Sequence, residues 1–96
     1  MSPVADSPPA VAHKARVVVV TREGCHLCDD ALSITQSVCD DVHADWLAVD
    51  VDTDPELRAV YTDHVPVTFV DGVEFSVWVL DKVRLRSALL HVAERG

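Results

Sequence analysis

Residues 16–28 read Arg16-Val17-Val18-Val19-Val20-Thr21-Arg22-Glu23-Gly24-Cys25-His26-Leu27-Cys28, and the rest of the chain is understood outward from them. Four consecutive β-branched valines bounded by polar residues predict a central strand buried on both faces. Glu23-Gly24 interrupts it, and a helical pattern follows to about Asp40. Its apolar residues Leu27, Ala31, Ile34 and Val38 step by four, three and four, which marks one helix face. Asp29 and Asp30 suit the positive end of the helix dipole, whereas Asp40 and Asp41 oppose the other end and predict a stop there.

The C-x-x-C formed by Cys25 and Cys28 therefore falls where a buried strand gives way to the first turn of a helix. Free backbone N–H groups and the dipole at such a junction stabilise an anion and lower a thiol's pKa from about 8.5. Cys25, nearest the helix start, is expected to be the exposed thiolate and nucleophile. Cys28, one turn deeper, is expected to be the protected thiol that resolves a mixed disulfide; a route in which a small thiol resolves the Cys25 adduct without Cys28 is equally compatible with the sequence. A spacing of three on a helical turn brings the two Cβ atoms within disulfide reach. His26 either adds to thiolate stabilisation when protonated or is a solvated loop residue; Glu23, Asp29 and Asp30 oppose that stabilisation.

Downstream, Trp46–Val51 reads as a second strand. Asp54-Pro55-Glu56 is an N-cap, a proline at the first helical position and an acid behind it, predicting a short helix that ends near Asp63. Val65–Val70 is a third strand opened by Pro66, since a strand interior would refuse proline. Asp71-Gly72 is a hairpin signal. After it, Val73, Phe75, Val77 and Val79 alternate with Glu74, Ser76 and Trp78. A last helix is expected from Asp81 to about Glu94, with Leu85, Ala88, Leu89 and Val92 as its apolar stripe. The order β-α-β-α-β-β-α predicts an α/β fold: a four-stranded mixed sheet flanked by three helices. In it, strands joined through a helix run parallel and the last two form a hairpin.

Composition excludes several classes. Ninety-six residues make one small domain, and 49% hydrophobic with 25% charged residues is an ordinary globular balance. Sixteen acids against eight bases leave a formal charge of −8, a poor match for a nucleic-acid backbone. Apolar runs such as Val17–Val20 fall far short of the ~20 residues of a membrane span. The proline-bearing residues 1–14 are expected to be a mobile tail without a secretory signal, with the domain at 15–96. Three cysteines cannot all pair internally, and a cytoplasmic monomer is expected.

The segment from Thr21 to Cys28 resembles the active-site segment of the glutaredoxin-like branch of the thioredoxin superfamily. Val65-Pro66 ahead of a strand and an Asp-Gly turn resembles that superfamily's cis-proline segment. The resemblance covers about residues 16–94 and implies a thioredoxin-like fold and a thiol–disulfide oxidoreductase. It also implies that Pro66 is cis and packed beside the cysteines. The Val65 backbone would then pair with an extended substrate, and Arg22, His26, Val65 and Pro66 would bind it. The partner it implies is a protein disulfide or a low-molecular-weight thiol such as glutathione or mycothiol, with no bound cofactor. The chain departs from the family's usual pattern in four places. His26 replaces a proline, Arg22 a lysine and His64 a threonine, and Val79-Leu80-Asp81 stands where glutaredoxins carry a glycine pair that seats glutathione.

Other readings remain. Cys25, Cys28, Cys39 and His43 have a spacing close to that of a zinc site. However, Cys28 and Cys39 on one helix would lie roughly 16 Å apart along its axis, leaving Cys39 as a small core hydrophobe. An iron–sulfur cluster shared by two chains through Cys25 is a family analogy, and a redox-inactive binding module is a third reading. Lys82, Arg84 and Arg86 are either an acidic-ligand contact or a solvated face. Trp78 is a partner contact or is covered by a helix or the tail. His13, His43 and His91 read as surface residues, and Asp50 and Asp52 as strand-end acids.

Overall fold

The computed structural model describes residues 10–95, with side chains through Leu90. Four strands, β1 (Val17–Thr21), β2 (Trp46–Asp50), β3 (Val67–Val70) and β4 (Val73–Val77), form one mixed sheet in the order β2-β1-β3-β4. Three helices flank it: α1 (His26–Val42), α2 (Pro55–Tyr61) and α3 (Lys82–Arg95). β1 is the pivot. It runs parallel to β2 and antiparallel to β3, and all four of its valines are fully buried.

Because strand side chains alternate, the valines divide between two cores. Val17 and Val19 join Ala31, Val38, Cys39, Leu80, Leu85 and Leu89 beneath α1 and α3. Val18 and Val20 join Val51, Leu57, Tyr61, Val67 and Phe69 on the opposite face, where Tyr61 meets Phe69 edge-on at 5.8 Å. Burying each such side chain contributes about 1.5–3 kcal/mol. At the far end of β1, Arg16 ties the layers together. Its guanidinium donates to the Leu89 carbonyl at 2.6 Å and pairs with Asp71 at 3.4 Å, while its backbone N–H donates to Asp45 at 3.1 Å.

The α/β class and strand count follow the sequence, but several details differ. β2 and β3 are joined through α2, yet they are neither adjacent nor parallel. The connection leaves β2 and enters β3 at the same end of the sheet, crossing over β1 instead of returning along it. A seven-residue helix, about 10 Å long, does not carry the chain back over a full strand.

Within α1 the buried residues are Cys28, Ala31, Thr35, Val38 and Cys39, while Leu27 is 43% exposed. The stripe is therefore turned by one residue at Leu27 and Ile34, because small or weakly polar side chains take the inward positions there. Beyond β4 the expected alternation fails. Trp78 adopts a left-handed φ of 70°, Val79 is 70% exposed and Leu80 turns into the core.

Ala10–His13, assigned from sequence to the tail, form a 3-10 turn whose Ala12 is fully buried against the second core. Residues 1–9 of the expected tail, and the side chains of His91 and Val92, lie outside what the structure describes. Asp71 and Gly72, with φ of 51° and 83°, make the expected two-residue turn between Val70 and Val73. α1 closes with His43 in a left-handed conformation, and the Ala44 N–H bonds back to the Cys39 carbonyl at 3.0 Å. Among the described residues no helix is long and apolar enough to cross a membrane.

Thr35 is fully buried on α1, and its hydroxyl has no hydrogen-bond partner among the described residues. Replacing it by the near-isosteric Thr35→Val removes a desolvated hydroxyl and keeps the β-branch. Stability in urea unfolding is expected to rise by about 1–2 kcal/mol.

Candidate functional site

The site is built at the end of the sheet where β1 stops. Gly24 turns the chain with φ 76°, a conformation that favours glycine. Cys25 then lies extended (φ −106°, ψ 111°) as the N-cap of α1. Its Sγ accepts a hydrogen bond from the Cys28 N–H at 3.1 Å, while its carbonyl accepts the Asp29 N–H at 3.3 Å. A sulfur thus occupies the place that a serine or aspartate oxygen usually takes at a helix start. A 17-residue helix directs its dipole at that atom, which favours the thiolate.

The two cysteines are not equivalent. Their Cα atoms are 5.2 Å apart with the sulfurs at disulfide distance, but Cys28 is only 2% exposed whereas Cys25 is half-buried. His26, the first residue of α1, is exposed. Arg22 donates to the Thr62 carbonyl at 3.4 Å and so bridges the end of β1 to the end of α2.

Strand register brings the proline segment to this same end. Val20 pairs with Val67, so Pro66 lies opposite Thr21, just before the turn into Cys25. The Val65–Pro66 peptide is cis; Pro66 is buried and Val65 half-buried. Val67 pairs in turn with Val77, which sets Trp78 opposite Pro66, and the Trp78 N–H donates to the Pro66 carbonyl at 2.8 Å. The indole Nε1–H donates to the Asp63 carbonyl at 3.3 Å, and the ring stacks on His64 with centroids 6.1 Å apart.

The pairing of His64 with Trp78 has no local sequence signal; only the Pro66–Trp78 register would have revealed it. Beside it lies an open groove of about 270 Å³ between the first turns of α1 and the chain after β4. It is lined by Leu27, Ile34, Trp78, Val79 and Leu80, with Asp30 and Ser33. Trp78 is 52% exposed there rather than covered.

The remaining candidates are dispersed. Cys39 is buried in the α1/α3 core, eleven residues beyond Cys28 on one continuous helix and so about 16 Å along its axis. The four residues of the zinc-like spacing are therefore not assembled, and no group of three metal-ligating side chains occurs among the described residues. Of the basic cluster on α3, Arg86 pairs with Asp41 and Arg84 lies over the Phe75 ring at 5.6 Å, while Lys82 is exposed. Asp50 caps the short turn after β2 through the Asp52 N–H.

This fold, with a cysteine pair at a helix N-terminus facing a cis-proline, defines a glutaredoxin-like member of the thioredoxin superfamily. The glutaredoxin-like domain (DUF836) matches residues 16–90, and the chain belongs to that family. The uncharacterized protein Rv0508 of Mycobacterium tuberculosis is 33% identical over 79 residues, covering 77% of this chain and 81% of its own length. The X-ray structure of protein XcR50 from X. campestris superposes with a TM-score of 0.64 at 30% identity, covering 78% of this chain and 96% of that one. Wheat glutaredoxin shares the fold with a TM-score of 0.58 at 21% identity, covering 86% of this chain and 80% of that one. Fold and cysteine pair together support a thiol-redox role and suggest an oxidoreductase.

Burial pushes the Cys39 thiol up to about 11, with the Asp40 and Asp45 charges adding to the rise and Arg16 opposing it. The folded protein then holds a proton that the unfolded chain releases near pH 9, so stability present below pH 9 is lost as pH rises through about 11. Tyr61, raised above its ordinary value of 10.0 by burial and then by Glu74, adds to the loss at the alkaline end. In Cys39→Ala the decline between pH 9 and 11 is expected to be shallower, measured as urea-unfolding free energy against pH.

Proposed function

We propose that the protein is a thiol–disulfide oxidoreductase in which Cys25 is the nucleophile and Cys28 the resolving thiol. The observation that carries this reading is the Cys25 Sγ, on a partly buried residue and accepting the Cys28 N–H at 3.1 Å at the head of α1. In the reduced protein the Cys25 thiolate attacks one sulfur of a substrate disulfide. The Cys25–substrate disulfide forms, the substrate S–S bond breaks, and the departing sulfur leaves as a thiolate. Cys28, after losing its proton, attacks the Cys25 sulfur. That step releases the second substrate thiolate and leaves the Cys25–Cys28 disulfide, so two electrons pass to the substrate. A low-molecular-weight thiol, glutathione or mycothiol, or a dithiol reductase returns them.

The neighbours have defined parts in this scheme. Pro66 stands at the start of β3, opposite the end of β1 that leads into Cys25, and the Val65 backbone offers hydrogen bonds to an extended substrate strand. Arg22 holds the β1 end against α2 through Thr62 and, with His26, borders the substrate. Asp29 in the first turn competes with the sulfur for the helix dipole, and Asp30 follows it, which moderates the thiolate's stabilisation.

Two variants read the scheme directly in a disulfide-reduction assay with an added thiol as electron donor. Cys25→Ser is expected to lose all activity above the uncatalysed rate. Cys28→Ser is expected to stall as a Cys25 mixed disulfide detectable by mass spectrometry. Full turnover by Cys28→Ser would replace the two-cysteine route with one in which the small thiol resolves the Cys25 adduct. Activity in Cys25→Ser would overturn the assignment altogether.

A further inference from the structure

We infer that the groove between the first turns of α1 and the chain after β4 selects disulfides of extended polypeptides carrying an apolar side chain and a basic side chain next to the cysteine. This selection rests on the exchange chemistry proposed above and names its substrate class. Trp78 is the first reason. A bulky aromatic residue seldom adopts a φ of 70°, yet the chain holds Trp78 there through the Pro66 carbonyl, the Asp63 carbonyl and the His64 ring. Such fixation leaves the indole 52% exposed instead of sending it into the core. Leu27 and Val79, 43% and 70% exposed, extend the same surface. A rigid aromatic anchor in an open apolar groove is a contact for side chains, gained at little cost in ordering.

Charge is the second reason. Among the described residues no lysine or arginine lines the groove, and its charged member is Asp30. Of the cations near it, Arg22 donates to the Thr62 carbonyl and Arg84 lies over Phe75, while Lys82 follows the groove's Leu80 by two residues and stands outside its lining. The chain as a whole carries −8. A small thiol bearing several carboxylates finds no counter-ion among these lining residues, whereas a lysine or arginine side chain meets Asp30 and the acidic field around it. Leu27 and Asp30 are one turn apart on α1, so one groove wall presents an apolar contact and an acid together. Position supplies the third reason. Leu27 lies between the two cysteines in sequence, and Trp78 lies opposite Pro66. A chain running along the Val65 backbone into Cys25 therefore passes over this groove.

The test is the rate of reduction, with dithiothreitol as electron donor, of four disulfides by the full chain. Two are symmetrical dimers of equal-length peptides, one with Leu-Lys and the other with Asp-Glu after the cysteine. Oxidised glutathione and bis(2-hydroxyethyl) disulfide complete the set. In each catalytic cycle Cys25–Cys28 takes two electrons from dithiothreitol, which closes to its cyclic disulfide, and passes them to the substrate, which leaves as two thiols. The Leu-Lys dimer is expected to exceed the Asp-Glu dimer and oxidised glutathione in kcat/KM by about tenfold or more, a margin that shrinks as salt screens it. Asp30→Lys, at an exposed position, should close or reverse the preference between the two peptides. Trp78→Ala should raise KM for the Leu-Lys dimer; if it fails to fold, the wild-type comparison and Asp30→Lys decide. Equal rates on both peptides, or oxidised glutathione as the best substrate, with bis(2-hydroxyethyl) disulfide still reduced, would overturn the inference and leave the exchange chemistry standing. Failure to reduce any of the four would remove both.

Discussion

Everything in the molecule is referred to β1, whose four valines are buried on both faces. A strand covered on both sides has no face to give to water, so its register against β2 and β3 is held from two directions at once. A slip of one residue would exchange the side chains of the two cores and strand Arg16 away from Asp71 and Leu89. The end of this strand is therefore a fixed point, and the chemistry is mounted on it. Thr21 ends the ladder, Gly24 makes the turn, and Cys25 opens the helix within four residues of the last paired position.

At that fixed point two electrostatic influences meet. The amides and dipole at the start of α1 favour negative charge on sulfur, while Glu23, Asp29 and Asp30 place negative charge nearby. The backbone contribution is short-ranged and directional, expressed in the 3.1 Å contact from the Cys28 N–H. The carboxylates are exposed, and solvent and salt screen them. One influence reaches the Cys25 sulfur by direct contact, the other through solvent.

Much of this is legible in the amino-acid sequence. The valine run, the C-x-x-C at a strand-to-helix junction, the Asp54-Pro55 helix start and the Asp71-Gly72 turn each have a local physical cause, and each appears where its cause places it. The errors share a different origin. Leu27 reads as core because hydropathy ranks it above Cys28 and Thr35, but those smaller side chains take the inward positions on α1. Val79 reads as the continuation of β4 because the alternation does not show Trp78 turning through a positive φ. Ala12 reads as tail because a lone small residue carries no periodic signal, although it fills a place against Val18 and Val20. The His64–Trp78 stack was invisible for the same reason, since it is made by register between two strands and not by either strand alone.

The antiparallel direction of β3 shows how much one such non-local choice decides. Had the segment after α2 entered the sheet parallel to β1, Pro66 at its start would lie level with Arg16. That is five residues, or about 17 Å, from the turn into Cys25. Because β3 runs the other way, its first residue instead meets the last residue of β1, and Pro66 arrives beside the cysteine turn. The hairpin then returns β4 to that same end and delivers Trp78 opposite Pro66. The proline and the indole follow the first cysteine by 41 and 53 residues of sequence, yet no loop has to reach across the molecule to unite them. A short α2 that cannot span the sheet is thus a condition for the site, because it obliges the chain to re-enter where the sulfur already stands.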